Sequence, residues 1–230
     1  MSDGHIVRLT SGADGFVFDA WRVPTRDARR GGLVVLHAIW GVTPHLRALA
    51  ADFAEDGYEV IVPSLFDRFE PGFPTRDIDS GAMERRIGYA QAVGWGAGTL
   101  PDVQAAIDAL APPVALLGFC FGGTAAWLAS ARCERLAAVA CFYGGQIIDH
   151  VDEAPRAPTI LHFGRRDELT PPIDIERIST AHPDLPVYVY DAGHAFMAPS
   201  GFSPDAARLA RLRTLQLFHR AAAGRGEMGG

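Results

Sequence analysis

The chain reads as an α/β protein: a mostly parallel central sheet with helices on both faces and an antiparallel hairpin at its N-terminal end. Three observations lead there. Short, uniformly apolar runs such as Leu33-Val34-Val35-Leu36 recur along the chain, too short for helices and too uniform for half-exposed strands, as expected of buried parallel strands. Stretches of helical period lie between some of them, and strands joined by helices need crossover connections, which makes those strands parallel. The first two β-rich runs are instead separated only by Ser11-Gly12-Ala13-Asp14-Gly15, a connection short enough for a hairpin.

Taken in order, residues 6–10 and 16–23 form that hairpin and supply one edge of the sheet, and 33–36 is the first parallel strand. Residues 44–55 place Leu46, Leu49, Ala50 and Phe53 on one stripe, with Pro44 tolerated in the first helical turn and Gly57 as the stop. A strand follows at 58–62. Residues 114–117 lead into a helix from about Gly122, residues 136–141 and 159–163 are two further strands, and 187–190 is the last. Residues 204–222 repeat apolar positions at Leu209, Leu212, Leu215, Leu217 and Phe218 and read as a terminal helix, with a frayed tail from 224. Neither a repeat nor a linker interrupts the pattern, so residues 1–230 read as one domain. The stretch 65–100 fits least well, because Pro71, Pro74, Gly81, Gly88, Gly94 and Gly96 break any long period. Such excursions serve either as lids and substrate walls or as plain surface loops with one short helix.

Composition removes several function classes. With 21 basic and 27 acidic residues the formal net charge is −6, and the chain has neither the basic footprint of a nucleic-acid partner nor a basic run suited to an anionic membrane. No uninterrupted apolar run approaches the roughly 18 residues of a membrane span, and the first residues show no secretory pattern. Three cysteines, Cys120, Cys133 and Cys141, are too few for a disulfide scaffold of this size, so a reducing cytoplasm is the expected setting. The eight histidines fall into neither His-Glu-x-x-His nor any pairing with Cys-x-x-Cys, so no metal site is expected. Gly94-Trp95-Gly96-Ala97-Gly98-Thr99 lacks the third glycine of a dinucleotide fingerprint, and no lysine follows Gly122-Gly123-Thr124 as a phosphate loop requires.

The sharpest local signal is Gly118-Phe119-Cys120-Phe121-Gly122-Gly123, between an apolar strand and the helical run Thr124-Ala125-Ala126-Trp127-Leu128-Ala129. This is a Gly-x-nucleophile-x-Gly elbow: a strained turn presents the central side chain at the strand's end, and glycines let strand and helix approach. A helix N-terminus also favours the thiolate form of a cysteine. Cys133 and Cys141 have no turn motif around them and read as structural. A nucleophile needs a base, and the base needs an orienting acid. His194 follows the last strand in Ala192-Gly193-His194-Ala195-Phe196, and Asp167 follows the preceding one in Gly164-Arg165-Arg166-Asp167. The order nucleophile, acid, histidine, each beyond a strand's carboxyl end, is that of the α/β-hydrolases. Asp191 and Glu168 are rival orienters; Asp191 sits too near His194 in sequence and suits a turn. The backbone N–H groups of Phe121 and Ile39 are the expected oxyanion donors, with Trp40 as a pocket wall.

These residues resemble the dienelactone hydrolase family, small cytoplasmic α/β-hydrolases with a cysteine nucleophile. The resemblance spans residues 31–218. It rests on His37-Ala38-Ile39-Trp40-Gly41-Val42, Pro44-His45-Leu46-Arg47, Gly57-Tyr58, the cysteine elbow, Phe142-Tyr143-Gly144, Gly164-Arg165-Arg166-Asp167 and Gly193-His194-Ala195-Phe196. It implies that Cys120 is nucleophile, His194 base and Asp167 orienter, with Ile39 and Phe121 in the oxyanion hole. The implied reaction is hydrolysis of a small-molecule ester or lactone through an acyl-thioenzyme, without a cofactor. Tyr143, Phe196 and Arg85 join Trp40 as expected pocket residues. A monomer is compatible with the sequence, which leaves the oligomeric state open.

Two departures stand out. The family's type member has a glutamate where this chain has Ala38, which leaves Cys120 to pair directly with His194 as a constitutive thiolate–imidazolium. An arginine that holds a substrate carboxylate shortly after the family's histidine is absent from Phe196-Met197-Ala198-Pro199; Arg76, Arg85 and Arg86 are the candidate substitutes, but exposed arginines on a solvated face are the commoner reading, so a substrate without the carboxylate is expected. Two alternatives to the hydrolase therefore stay open: a hydrolase-fold binding protein without turnover, and a thioesterase or acyltransferase using the same residues.

Overall fold

The computed structural model describes residues 4–25 and 28–223; the expected frayed tail from 224 lies outside the described residues. Strands β1 (His5–Thr10), β2 (Val17–Val23), β3 (Gly31–Leu36), β4 (Tyr58–Pro63), β5 (Val114–Phe119), β6 (Leu136–Phe142), β7 (Thr159–Gly164) and β8 (Val187–Tyr190) form one sheet. Its order is β1-β2-β4-β3-β5-β6-β7-β8. β1 and β2 pair antiparallel, as do β2 and β4, and every pairing from β4 to β8 is parallel. The expected hairpin thus forms one edge of the sheet.

The uniformly apolar strands are two-faced. In β3, Leu33 and Val35 enter one core layer and Val34 and Leu36 the other, because successive side chains of a strand point to opposite faces. Helices α1 (Pro44–Glu55) and α6 (Pro204–Ala223) cover the first face through Leu46, Leu49, Phe53, Ala210, Leu217 and Phe218. Helices α3 (Leu100–Asp108), α4 (Phe121–Arg132) and α5 (Pro172–Ala181) cover the second, with Val103, Ile107, Trp127, Leu128 and Ile178 buried there. Each large apolar side chain so buried contributes about 1.5–3 kcal/mol against exposure.

Helix α1 begins as its residues dictate, with Pro44 in the first turn and the Thr43 hydroxyl accepting from the Leu46 N–H at 3.3 Å, which satisfies one otherwise unpaired helix donor. Helices α3 and α5 are additions to the sequence reading. The excursion at 65–100 also holds more order than its composition suggests, with helix α2 (Met83–Val93) followed by a π-helical turn at Trp95–Thr99. Two of its ties back to the domain fall beside the first helix and the β3 loop. The Asp77 carboxylate accepts from the His45 N–H at the start of α1 (2.6 Å), and Arg86 donates to the Trp40 carbonyl (2.9 Å).

Candidate active site

The elbow forms where β5 turns into α4. Cys120 has φ 54° and ψ −114°, a left-handed region that a Cβ-bearing residue occupies only under strain of about 1–3 kcal/mol. Its N–H donates to the Phe142 carbonyl at 3.0 Å, and its own carbonyl accepts from the N–H groups of Gly123 and Thr124 at 2.9 and 3.1 Å. The flanking glycines are required by contact: a Cβ on Gly118 would overlap the Gly122 carbonyl, and one on Gly122 would lie 2.5 Å from the Leu36 carbonyl oxygen. The thiol is left partly accessible at the end of the strand.

The acid and the histidine arrive on neighbouring loops that are stapled together. Beyond β7 and β8, the Arg165 N–H donates to the Tyr190 carbonyl at 2.7 Å and the Arg166 N–H to the Ala192 carbonyl at 2.9 Å. Gly164 permits this approach, since a Cβ there would sit 2.6 Å from two carbonyl oxygens of the histidine loop. Asp167 is buried, and both its oxygens are engaged: Oδ2 accepts from His194 Nδ1 at 2.8 Å and Oδ1 from the Leu169 N–H at 2.9 Å. With Nδ1 taken by Asp167, Nε2 is the ring nitrogen left to face Cys120. Burial disfavours the charged ring, yet the hydrogen bonds and negative charge of Asp167 and Cys120 outweigh it and push the His194 pKa up to about 9. The rival acids are elsewhere, with Asp191 facing solvent against Arg166 and Glu168 exposed.

These three residues meet at a cavity of about 340 Å³ into which Cys120 and His194 open. Ala38, Ile39 and Trp40 form one wall on the loop after β3, and Tyr143 another, its ring edge-on to His194 with centroids 5.0 Å apart. The β3 loop is fixed from behind by His37, which is fully buried and accepts from the Leu65 N–H at Nε2 (3.0 Å). Nδ1 therefore carries the proton and donates to the Ala38 carbonyl at 2.6 Å. The His37 ring also stacks on Phe121, which follows the thiol, at 6.3 Å. Burial lowers the His37 pKa to about 4, so the ring stays neutral.

Two expected pocket residues lie elsewhere. Phe196 is fully buried in the core behind Tyr143, centroids 5.2 Å apart, and does not reach the cavity. Arg85 is half exposed and sits 3.6 Å from Glu70, pointing away, while Arg86 points inward to the Trp40 carbonyl. Adjacent helical residues diverge by about a quarter turn, so only one of the two faces the domain. The excursion contributes Ile78 and Met83 to the cavity lining. His45 and Asp77 line it too and were not singled out from sequence as site residues. Among the described residues, no group of three or more His, Cys, Asp or Glu is placed to hold a metal ion, and no helix is long and apolar enough to cross a membrane.

Comparison with known proteins places the chain in a family. A sequence model of the dienelactone hydrolase family matches residues 18–222. The chain is 30% identical over 208 residues to a carboxymethylenebutenolidase of Pseudomonas sp. strain P51, covering 84% of this chain and 87% of that protein. It is 31% identical over 219 residues to the carboxymethylenebutenolidase of Pseudomonas putida, covering 89% and 92%. Among solved structures, a dienelactone hydrolase-like promiscuous phosphotriesterase from metagenomic libraries superposes with TM-score 0.74 at 19% identity over 95% of this chain and 98% of that one. An esterase of Pyrococcus furiosus does so with TM-score 0.67 at 12% identity over 95% and 91%. These structural likenesses identify the α/β-hydrolase fold.

Proposed function

Since the chain belongs to the dienelactone hydrolase family and is an ester or lactone hydrolase, we propose that it works through Cys120 as nucleophile, His194 as proton carrier and Asp167 as the group that orients His194. The observation that carries this reading is that His194, held at Nδ1 by the buried Asp167 at 2.8 Å, opens into the same cavity as the partly exposed Cys120. In the resting site, His194 is charged and Cys120 is its thiolate partner. Sγ attacks the ester carbonyl, and the developing oxyanion is held by the Ile39 and Phe121 N–H groups. Collapse expels the alkoxide, which takes the proton from His194, and leaves an acyl group on Sγ. The thioester carries no charge, so His194 loses one of the interactions that held its proton. The neutral ring then takes a proton from water, whose oxygen attacks the thioester and releases the acid.

Free thiols at Cys120, Cys133 and Cys141 support the cytoplasm as the place of action. We take the chain to act as one domain. The test is hydrolysis of aryl esters and simple lactones by wild type, Cys120→Ala and His194→Ala. Both variants are expected to lose at least about 10³-fold in kcat/KM, a conservative bound beside the roughly 10⁶-fold kcat losses of another hydrolase triad. Equal rates in all three would remove Cys120 and His194 from the mechanism. A wild-type acyl adduct that never turns over would favour the binding-protein alternative, and transfer to added thiols or alcohols the acyltransferase.

A further inference from the structure

The cavity beside Cys120 has an unusual charge balance for a relative of carboxymethylenebutenolidases, whose name denotes a lactone that bears a carboxylate. Apart from Cys120, Tyr143 and His194, its ionisable lining side chains are His45 and Asp77, and among the described residues no arginine lines it. All basic residues of the chain other than histidine are arginines, so no lysine substitutes. The arginine nearest the wall, Arg86, is spent on the Trp40 carbonyl and on Glu70 at 2.9 Å, with only 9% of its side chain exposed. Arg85 pairs with the same Glu70 outside the cavity. A carboxylate on a bound substrate would thus meet Asp77 with no cation but His194, whose charge Asp167 and Cys120 already engage, and like charges in a partly desolvated cavity repel.

The mouth tells the same story in apolar terms. Ile78, Met83 and Leu169 both line the cavity and are 43%, 43% and 61% exposed. Large apolar side chains grouped around an opening are left in water until an apolar ligand covers them. The interior wall, with Ile39, Leu46, Leu49, Phe119 and Met197, continues that surface inward.

We propose that this site selects uncharged, predominantly apolar esters or lactones and disfavours those with a carboxylate on the acyl side, with Asp77 as a specificity-determining residue. This rests on the hydrolase reading above. The experiment compares kcat/KM for 4-nitrophenyl hexanoate and mono-4-nitrophenyl adipate, which share an acyl chain length and leaving group and differ in the terminal carboxylate. Wild type is expected to favour the neutral ester by at least about tenfold, equivalent to about 1.4 kcal/mol. Asp77→Asn keeps the acceptor for the His45 N–H and removes the charge, so the preference falls at least about threefold. Met83→Arg, at the exposed mouth, adds a cation and lowers the preference similarly, and it keeps the test intact if Asp77→Asn does not fold. A wild-type preference within about twofold, or a preference that neither variant moves, overturns the proposal. Failure to cleave either ester, or undiminished cleavage by Cys120→Ala, instead overturns the catalytic reading beneath it.

Discussion

Asp167 holds His194 with one oxygen and the Leu169 backbone with the other, Oδ2 at 2.8 Å from Nδ1 and Oδ1 at 2.9 Å from the amide. The imidazole is therefore fixed in position and in tautomer, and both depend on an acid that must accept at each oxygen. Asp167→Asn, which turns a donor toward one of these N–H groups, is expected to cost about 10³–10⁴ in kcat, as in the serine-protease triad from which that magnitude is taken. It should also drop the His194 pKa from about 9 toward the ordinary 6.5, which an NMR titration of the ring reads directly. An unmoved pKa would assign the elevation to Cys120 alone.

The three thiols should separate cleanly. Burial pushes Cys133 up to about 11 and Cys141 higher still, whereas Cys120 is partly accessible and, in the proposed mechanism, is the partner of a charged His194. Iodoacetamide at neutral pH is expected to modify Cys120 alone in the folded protein, with a rate that holds a plateau until His194 loses its proton near pH 9. In His194→Ala that rate should fall at pH 7 by about tenfold or more, because an unperturbed thiol of pKa about 8.5 is only a few per cent ionised there. Peptide mapping checks the site, and a pH profile with no plateau would contradict the direct thiolate–imidazolium pair.

Backbone strain at the elbow has a separate signature. Replacing alanine by glycine ordinarily destabilises a protein by about 0.5–1 kcal/mol. At position 120 the φ of 54° reverses the balance, so Cys120→Gly should be at least as stable as Cys120→Ala in urea unfolding. The ordinary penalty, if found, would mean that the turn relaxes once the thiol is gone.

Acid stability follows from two buried histidines. His162 lies between the Tyr190 hydroxyl at 2.9 Å and the Thr214 hydroxyl at 3.1 Å, and burial lowers its pKa to about 3; His37 is lowered to about 4. Each folded-state pKa is below the unfolded value near 6.5, so the unfolded chain takes up protons that the native one refuses. Their contribution is full above pH 6.5 and is lost as pH falls toward 4 and 3, at up to about 1.4 kcal/mol per pH unit for each ring. His194 has the opposite sign: its contribution is full below 6.5 and is lost as pH rises through about 9. Urea midpoints between pH 7 and 4.5 should fall more steeply in wild type than in His162→Gln, and equal slopes would contradict the assignment.

Much of this was legible from residues alone, and what was not has definite causes. The central parallel strands declared themselves because β-branched and apolar runs buried on both faces leave no polar alternation to confuse them, and the more exposed β1 and β2 because only a short turn-forming segment separates them. Cys120, Asp167 and His194 stood out because each follows a strand in one particular order. Asp77 and His45 gave no such signal: they meet in space through a contact between the excursion and the start of α1, and nothing local marks either one. Arg85 and Arg86 are indistinguishable as neighbours in sequence, and only the orientation of α2 selects between them. Phe196 was misplaced for a similar reason, since Met197 and Ala198 of the same loop face the cavity while the Phe196 ring turns into the core.

The proposed mechanism stands or falls on Cys120 carrying the acyl group. Its most direct measurement is intact mass of the protein quenched in acid during turnover of a neutral aryl ester, followed by mapping of the modified peptide. One acyl group per chain is expected on the peptide containing Cys120, appearing before steady state and vanishing as substrate is consumed. Turnover with no adduct in wild type, or with an adduct on another residue, would contradict it.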